Sequence, residues 1–239
     1  MYEGKTVALI MPARNEALAL PGVLKNVPSL VDRVIVVDNG STDSTARVAK
    51  EHGREVVAEP RLGYGRACLA GLAALRDDPP HMVAFADADG SDDVSRLLDL
   101  LDPISTGRVD MALGRRVAED ATALGCHQRF GNWLATRLIY LVWRHDYADL
   151  GPMRAISWPA LRMLEMSDPD YGWTVEMQVK AVKLGLRVTE LPMPYYRRVA
   201  GRSKVSGTLT GSLRAGVKIL WIIGREALCG KQGRHPRVS

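Results

Sequence analysis

The chain has 239 residues, 46% of them hydrophobic and 6% aromatic, with a formal net charge of +5. That length fits one large α/β domain, or a domain with a small extension, and the apolar share suffices for a full core dominated by aliphatic and alanine packing. The positive balance points to a polyanionic partner, whether phosphate, nucleic acid or an anionic membrane, and no apolar run approaches the roughly 18 residues that a membrane span needs.

The elements follow in chain order. Thr6 to Met11 is an apolar run, as for a parallel strand buried on both faces. Glu16 to Val27 has helical spacing, with Pro21 in an early turn. Arg33 to Val37 is a second strand ending at Asp38-Asn39-Gly40, and Ser41-Thr42-Asp43 supplies capping residues for the helix after it. Glu55 to Ala58 is a short strand, and Gly63-Tyr64-Gly65 opens the next helix. His81 to Ala86 is a buried strand that runs into Asp87-Ala88-Asp89-Gly90. Ser91-Asp92-Asp93 reads as the cap of a helix with Val94, Leu97, Leu98 and Leu101 on its buried face. Asp110 to Gly114 is a strand, and from Arg116 the alternation becomes less regular. His127 to Trp143 is helical, Met153 to Ile156 a short strand, Trp173 to Leu184 a helix and Arg187 to Leu191 a strand. Strands alternating with helices predict a doubly wound, mostly parallel sheet. Cys68, Cys126 and Cys229 have no disulfide or metal spacing, which fits a reducing cytoplasm, and with the chain entering a strand almost at once no signal peptide is expected.

In such a sheet the working surface lies outside the carboxyl ends of the strands. Polar residues converge there from the first strand (Pro12 to Glu16), the second (Asp38) and the fourth (Asp87, Asp89). Two carboxylates flanking one residue can approach a common point, and a divalent cation relieves their repulsion; Mg²⁺ or Mn²⁺ suits such oxygen ligands. An ordinary acidic turn is the competing reading of Asp87-Ala88-Asp89. No Gly-x-Gly-x-x-Gly follows the first strand and no Gly-Lys-Ser/Thr loop occurs, so dehydrogenase and P-loop readings lack their phosphate-binding device.

Pro12-Ala13-Arg14-Asn15-Glu16, Val36 to Asp43, Gly63 to Ala67 and Asp87-Ala88-Asp89, followed by Asp149 to Arg154, Thr174-Val175-Glu176 and Arg198 to Lys204, resemble family-2 glycosyltransferases of the GT-A fold. Within them the chain is most similar to the dolichol-phosphate mannose synthase-like, polyprenyl-phosphate sugar transferase group. The resemblance implies transfer with inversion from a nucleotide sugar, a UDP- or GDP-sugar, with Mg²⁺ or Mn²⁺ at the Asp-x-Asp motif. It implies a nucleotide-sugar site of Pro12, Ala13, Asn15, Glu16, Asp38, Asn39, Gly65, Asp87 and Ala88. Asp89 is expected to bind the metal, with Asp87 toward the ribose or the metal-bound waters. Asn39 stands where the family usually has a second Asp, and would lie near the base or ribose. Arg115 and Arg129, beside Arg116 and Asn132, are candidates to face an anionic acceptor. Asp149 and Glu176 are the candidate catalytic carboxylates should the acceptor be a hydroxyl; helix capping is the competing reading of Glu176. Arg198, Arg202 and Lys204 form a cationic loop fit to close over a diphosphate, or else a solvated basic loop.

The expected division is a GT-A catalytic domain over residues 1–205 and an amphipathic helix with a basic tail over 206–239. On a helical wheel from Leu209, Leu213, Val217, Leu220 and Ile223 share a side; Arg214, Lys218 and Arg225 form an opposite ridge with Trp221 beside it. That suits a helix lying in a membrane interface, and equally a terminal helix packed on the core or on a second subunit. The basic tail from Lys231 to Arg237 favours the membrane. The expectation is thus a cytoplasmic enzyme, peripheral on the inner face of the membrane, with a nucleotide-sugar donor and a polyprenyl-phosphate acceptor, no nucleic-acid partner, and a homo-oligomer left open. A soluble acceptor, or a nucleotide-binding module without catalysis, are the alternatives.

Overall fold

The computed structural model describes residues 1–119, 125–199 and 209–228. Its strands are β1 (Val7–Ala13), β2 (Arg33–Asp38), β3 (Glu55–Ala58), β4 (Met82–Phe85), β5 (Met111–Ala118), β6 (Arg154–Ser157) and β7 (Val188–Tyr195). They form one sheet in the order β3-β2-β1-β4-β6-β5-β7. Around it lie α1 (Leu20–Asn26), α2 (Thr45–Glu51), α3 (Tyr64–Ala73), α4 (Leu97–Ser105), α5 (Cys126–Trp143), α6 (Trp158–Leu164), α7 (Trp173–Lys183) and α8 (Leu209–Leu228).

β1 explains the layering. Its side chains alternate, so Ala8 and Ile10 enter one apolar layer while Val7, Leu9, Met11 and Ala13 enter the other. Both layers exclude water, which is why the strand reads as an unbroken apolar run. β1 to β4 pair in parallel, whereas β6 pairs antiparallel with both β4 and β5. β5 and β7 then pair in parallel over eight residues, from Met111 with Val188 to Ala118 with Tyr195. The doubly wound, mostly parallel sheet is as expected; the reversal at β6 and the length of β7 are not legible in the local pattern.

Two local differences have physical causes. The first helix begins at Leu20 rather than Glu16, because Glu16 N–H donates to Thr45 Oγ1 at 2.9 Å and so is held by the neighbouring loop. Asp93 caps the 3-10 turn Val94–Arg96, donated to by Ser95 N–H at 3.2 Å. Asp92, read from sequence as part of that cap, turns instead into the sheet edge.

α8 packs on α5 and α7, with Ile222 and Ile223 buried. Its cations face the body of the protein. Lys218 Nζ lies 2.7 Å from Asp168 Oδ2, Arg225 Nη2 lies 3.2 Å from Glu176 Oε1, and Lys183 of α7 reaches Glu226 at 2.7 Å. Trp221 lies between Lys218 and Arg225, each 4.9 Å from the ring, and remains 53% exposed. Of the two settings left open for this helix, the described part shows packing on the core: Lys218 and Arg225 are paired with acids, and Ile223 is buried. Val217, Leu220 and Leu228 are left exposed. The side chains of Leu213 and Arg214, and the tail from Lys231 to Arg237, lie outside the described residues.

Candidate active site

The carboxyl ends of β1, β2 and β4 share one edge of the sheet, because these strands are parallel. The order β2-β1-β4 places the reversal of winding beside β1, where an open sheet leaves its crevice. Pro12 and Ala13 close β1 at this edge, and Asp38, half-buried, closes β2.

The loop after β1 is shaped by Asn15, which adopts φ 55°, a left-handed conformation that Asn tolerates better than most residues. In that pose Asn15 N–H donates to Ser41 Oγ at 3.0 Å, and Asn15 Oδ1 accepts from Thr42 N–H at 2.8 Å. Asp38 Oδ1 accepts from Ser41 N–H at 3.1 Å. The loops after β1 and β2 are thereby stitched into one wall. Asn39 does not project into this crevice. Its Nδ2 donates to the carbonyls of Glu59 and Arg61, both at 2.9 Å, and its Oδ1 accepts from Gly63 N–H at 2.9 Å. The amide therefore latches the loop after β3, which corrects its expected place at the base or ribose.

Gly65, in the first turn of α3, is required by packing. A Cβ there would lie 2.0 Å from the Asp168 carbonyl oxygen. Gly63 has φ 149° and would collide with the Pro169 carbonyl at 2.3 Å. Arg66 N–H donates to Pro169 O at 2.9 Å, so the start of α3 and the 168–169 turn are in direct contact.

The acidic turn after β4 gathers three carboxylates. Asp89 Oδ1 accepts from Ser91 N–H at 2.8 Å, and Asp92 Oδ2 accepts from Asp87 N–H at 3.0 Å. Asp87 Oδ1 is buried with no hydrogen-bond partner. Burial, and then the charges of Asp89 and Asp92, push the Asp87 carboxyl well up from its ordinary value. Burial also raises Asp92, to about 7, with Asp89 and Asp149 adding to it and Arg116 opposing. Sequence reasoning missed Asp92 as a member of this cluster; its nearness to Asp87 in the chain was the available signal.

Two cations arrive from later strands. Arg198 Nη2 lies 2.7 Å from Glu16 Oε1 and 3.4 Å from Asp89 Oδ2, so this predicted phosphate residue touches both walls of the crevice. Arg116, within β5, donates to Asp149 three times: from the backbone N–H at 2.9 Å, Nε at 2.8 Å and Nη2 at 2.7 Å. Its guanidinium also lies 5.3 Å from the Tyr195 ring centre, and Tyr195 is bridged to Asp92. Asp149 is therefore brought to the acidic turn, but as the partner of a buried arginine. Glu176 is not brought there. It is fully buried, accepting from Ser167 Oγ, Ser167 N–H and Asp168 N–H at 2.8, 3.1 and 2.7 Å, with Lys180 Nζ at 2.9 Å. Its carboxylate anchors the 167–168 turn, which corrects the expectation of a catalytic carboxylate. Arg115 and Arg129 are exposed, the first within β5 and the second on α5. Asn132 braces the 148–150 turn, its Oδ1 accepting from Leu150 N–H at 2.8 Å. Ala88 is buried between the two acids, while Arg202 and Lys204 lie outside the described residues.

A crevice of this kind can hold a base against the stitched loops and an anionic group against the acidic turn, with a cation between. Among the described residues no group of three or more His, Cys, Asp or Glu side chains is arranged to hold a metal by itself. The partnerless Asp87 oxygen and the crowding of three carboxylates nevertheless fit a divalent cation whose other ligands come from a phosphate-bearing substrate.

Comparison with known proteins agrees with this geometry. The protein is 39% identical over 216 residues to an uncharacterized glycosyltransferase of Mycobacterium tuberculosis, covering 89% of this chain and 95% of that one. It is 29% identical over 231 residues to a dolichyl-phosphate hexose transferase of Haloferax volcanii, covering 95% and 98%. Its fold matches that of glucosyl-3-phosphoglycerate synthase from M. tuberculosis, solved with Mn²⁺, UDP-glucose and phosphoglyceric acid. That match has a TM-score of 0.72 at 22% identity over 92% of this chain and 80% of that one. The sheet is thus of the GT-A type. Since residues 8–156, from β1 through the acidic turn to β6, match the description Glycosyl transferase family 2, this chain belongs to that family of glycosyltransferases.

Proposed function

We propose that the protein transfers a sugar, with inversion, from a UDP- or GDP-sugar to a polyprenyl phosphate, working peripherally at the cytoplasmic face of a membrane. The observation that carries the reading is the partnerless, buried Asp87 oxygen beside Asp89 at the end of β4. Asp89 and Asp87 would hold Mg²⁺ or Mn²⁺. The cation, when bound, supplies Lewis-acid neutralisation of the charge that builds on the departing nucleoside diphosphate. Asp38 accepts from the base, with Pro12, Ala13, Asn15 and Glu16 forming the pocket wall. Arg198, with Arg202 and Lys204, offers charge-assisted hydrogen bonds to the diphosphate. A lipid phosphate is already an anionic nucleophile, so the reaction needs no general base, which agrees with Asp149 and Glu176 being engaged by Arg116 and by the 167–168 turn.

The similarity to the Haloferax enzyme supports the lipid acceptor. A second support is an apolar face on α5 and α8, where Phe130, Trp133, Leu141, Val217, Leu220 and Trp221 are exposed. Aromatic and aliphatic side chains on adjacent helices suit the headgroup boundary of a bilayer. Among the described residues no helix is long and apolar enough to cross a membrane. Flotation with anionic liposomes tests the surface: the parent protein should float, and a Trp133→Ser, Trp221→Ser double variant should not. Purified protein with Mg²⁺ or Mn²⁺ and a panel of nucleotide sugars should glycosylate polyprenyl phosphate; no transfer across the panel would remove the acceptor assignment. A soluble, phosphorylated acceptor is the second reading, favoured by the fold shared with glucosyl-3-phosphoglycerate synthase. The non-catalytic module loses its support, because Asn39 holds the loop after β3 and says nothing against turnover.

A further inference from the structure

We propose that Arg198 is the internal counter-ion of the acidic turn when no donor is bound, and that it yields Asp89 to a divalent cation only as a nucleoside diphosphate draws its guanidinium away. The inference rests on the metal-diphosphate reading above and adds an order of events to it.

The placement of Arg198 is built, not incidental. β7 delivers it through a strap zipped onto the acidic turn: Tyr195 bridges to Asp92, Tyr196 N–H donates to Ser91 O at 2.9 Å, and Val199 N–H donates to Asp89 O at 3.1 Å. Gly90, with φ 78°, lies under Val199 so closely that a Cβ there would approach its Cγ2 to 2.7 Å. These contacts hold the backbone on both sides of Arg198 while the long side chain spans from Glu16 to Asp89. The Arg198 side chain is 18% exposed, and those of its partners Glu16 and Asp89 are 7% and 13% exposed, so screening by water is weak.

A cation that meets this turn without a donor competes with Arg198 for Asp89 and feels its charge at close range. A diphosphate changes the balance. Its oxygens accept from a planar guanidinium in pairs, which a single carboxylate oxygen at 3.4 Å does not match. Arg198 can turn onto the diphosphate within its own reach while the strap stays in place. Metal and donor then bind with positive coupling, each raising the other's affinity by the same factor. The arrangement keeps the cation from loading, and from trapping stray anions, before the donor arrives.

The test is a titration of Mn²⁺ into the full chain, followed by the electron paramagnetic resonance of the free ion, with and without uridine diphosphate. Without nucleotide, Arg198→Gln should bind Mn²⁺ with a Kd on the order of tenfold lower than the parent, while Arg198→Lys, which keeps the charge, should stay within about twofold. Arg198→Met keeps the aliphatic stem and should repeat the Gln result if the Gln variant folds poorly. Uridine diphosphate should tighten Mn²⁺ binding to the parent far more than to Arg198→Gln. An unchanged nucleotide-free Kd in both neutral variants, with normal Mn²⁺ binding in the presence of uridine diphosphate, overturns this inference alone. No Mn²⁺ binding to any form under either condition overturns the metal reading and this inference with it.

Discussion

Asp149→Asn separates an anchoring carboxylate from a catalytic one. Asp149 takes three N–H donors from Arg116 at 2.7 to 2.9 Å, and the two side chains are only 7% and 13% exposed. Removing one partner of a buried ion pair costs about 3–5 kcal/mol, because the other charge stays behind without compensation. Asparagine keeps an acceptor oxygen for one of the donors, so its cost should fall at about 2–3 kcal/mol; Asp149→Leu should reach the full range. Arg116→Met in the same chain removes the stranded charge, and the double variant should recover roughly 2 kcal/mol relative to the sum of the singles. Urea denaturation reads this as a lower midpoint at unchanged slope. The reasoning fails if Asp149→Asn stays within about 0.5 kcal/mol of the parent yet loses turnover together with the acidic limb of its kcat/KM profile, which is the behaviour of a general base.

Asp89→Ala should abolish sugar transfer and leave the melting temperature near that of the parent, since the lost backbone hydrogen bond and Arg198 contact are offset by relief of repulsion with Asp87 and Asp92, and Arg198 keeps Glu16; retained turnover would remove Asp89 from the reaction. Gly65→Ala should destabilise by about 1–3 kcal/mol, because the new methyl would meet backbone atoms of Asp168 and Pro169 that cannot step aside. Gly131→Ala, with nothing within 4 Å of its Cβ position in α5, is the paired control and should be neutral or stabilising by up to about 1 kcal/mol in the same denaturation assay. The hold of α8 should be lost in acid. Burial raises the Glu226 carboxyl, but hydrogen bonds from Lys183 and Arg225 outweigh it and keep the group below its ordinary value. A depressed carboxyl stabilises above its unfolded-state value and ceases to do so as pH falls through the folded one. The Trp221 fluorescence, isolated by difference from Trp221→Phe, should therefore change only below the usual glutamate range, and Glu226→Gln should remove or shift that step.

The parallel strands β1, β2 and β4 were legible because they are buried on both faces. Val7 to Met11 and Val34 to Val37 carry their apolar runs without interruption, and each ends at a polar loop. The antiparallel half was not, because four residues of β6 carry no directional signal; only its pairing with Phe85 to Met82 shows the reversal. Asp87, Asp89 and Asp38 are candidates because of their position after such strands, and the parallel pairing of β1, β2 and β4 puts those strand ends on one edge. The partners of Asn39, Asp149 and Glu176 were not legible, for one common reason. A buried polar side chain that fastens backbone groups and one that faces a substrate are the same letters in a sequence, and only the partners separate them. For Asn39 those partners are the loop 59–63, for Asp149 an arginine 33 residues away, and for Glu176 the turn at Ser167. The α8 wheel left its setting open for the same reason: periodicity identifies a ridge of cations but not the buried acids, Asp168 and Glu176, that pair with Lys218 and Arg225.

The reversed strand also explains how the acidic turn obtains its cations. β6 runs against β4, and β5 against β6, so β5 and β7 point the same way as β1 and β4. Their carboxyl ends therefore reach the same edge as Asp38 and Asp87, and deliver Arg116 and Arg198 to it. Three carboxylates crowded after β4 would repel one another in a site of low dielectric. Arg116 opposes the rise in Asp92, and Arg198 touches Asp89. One of these cations is fixed by Asp149, while the other rests between Glu16 and Asp89 on a side chain long enough to move. On the proposed reading, a permanent counter-charge and an exchangeable one on the same turn would let the carboxylates stay close without a donor and still accept a further cation together with it.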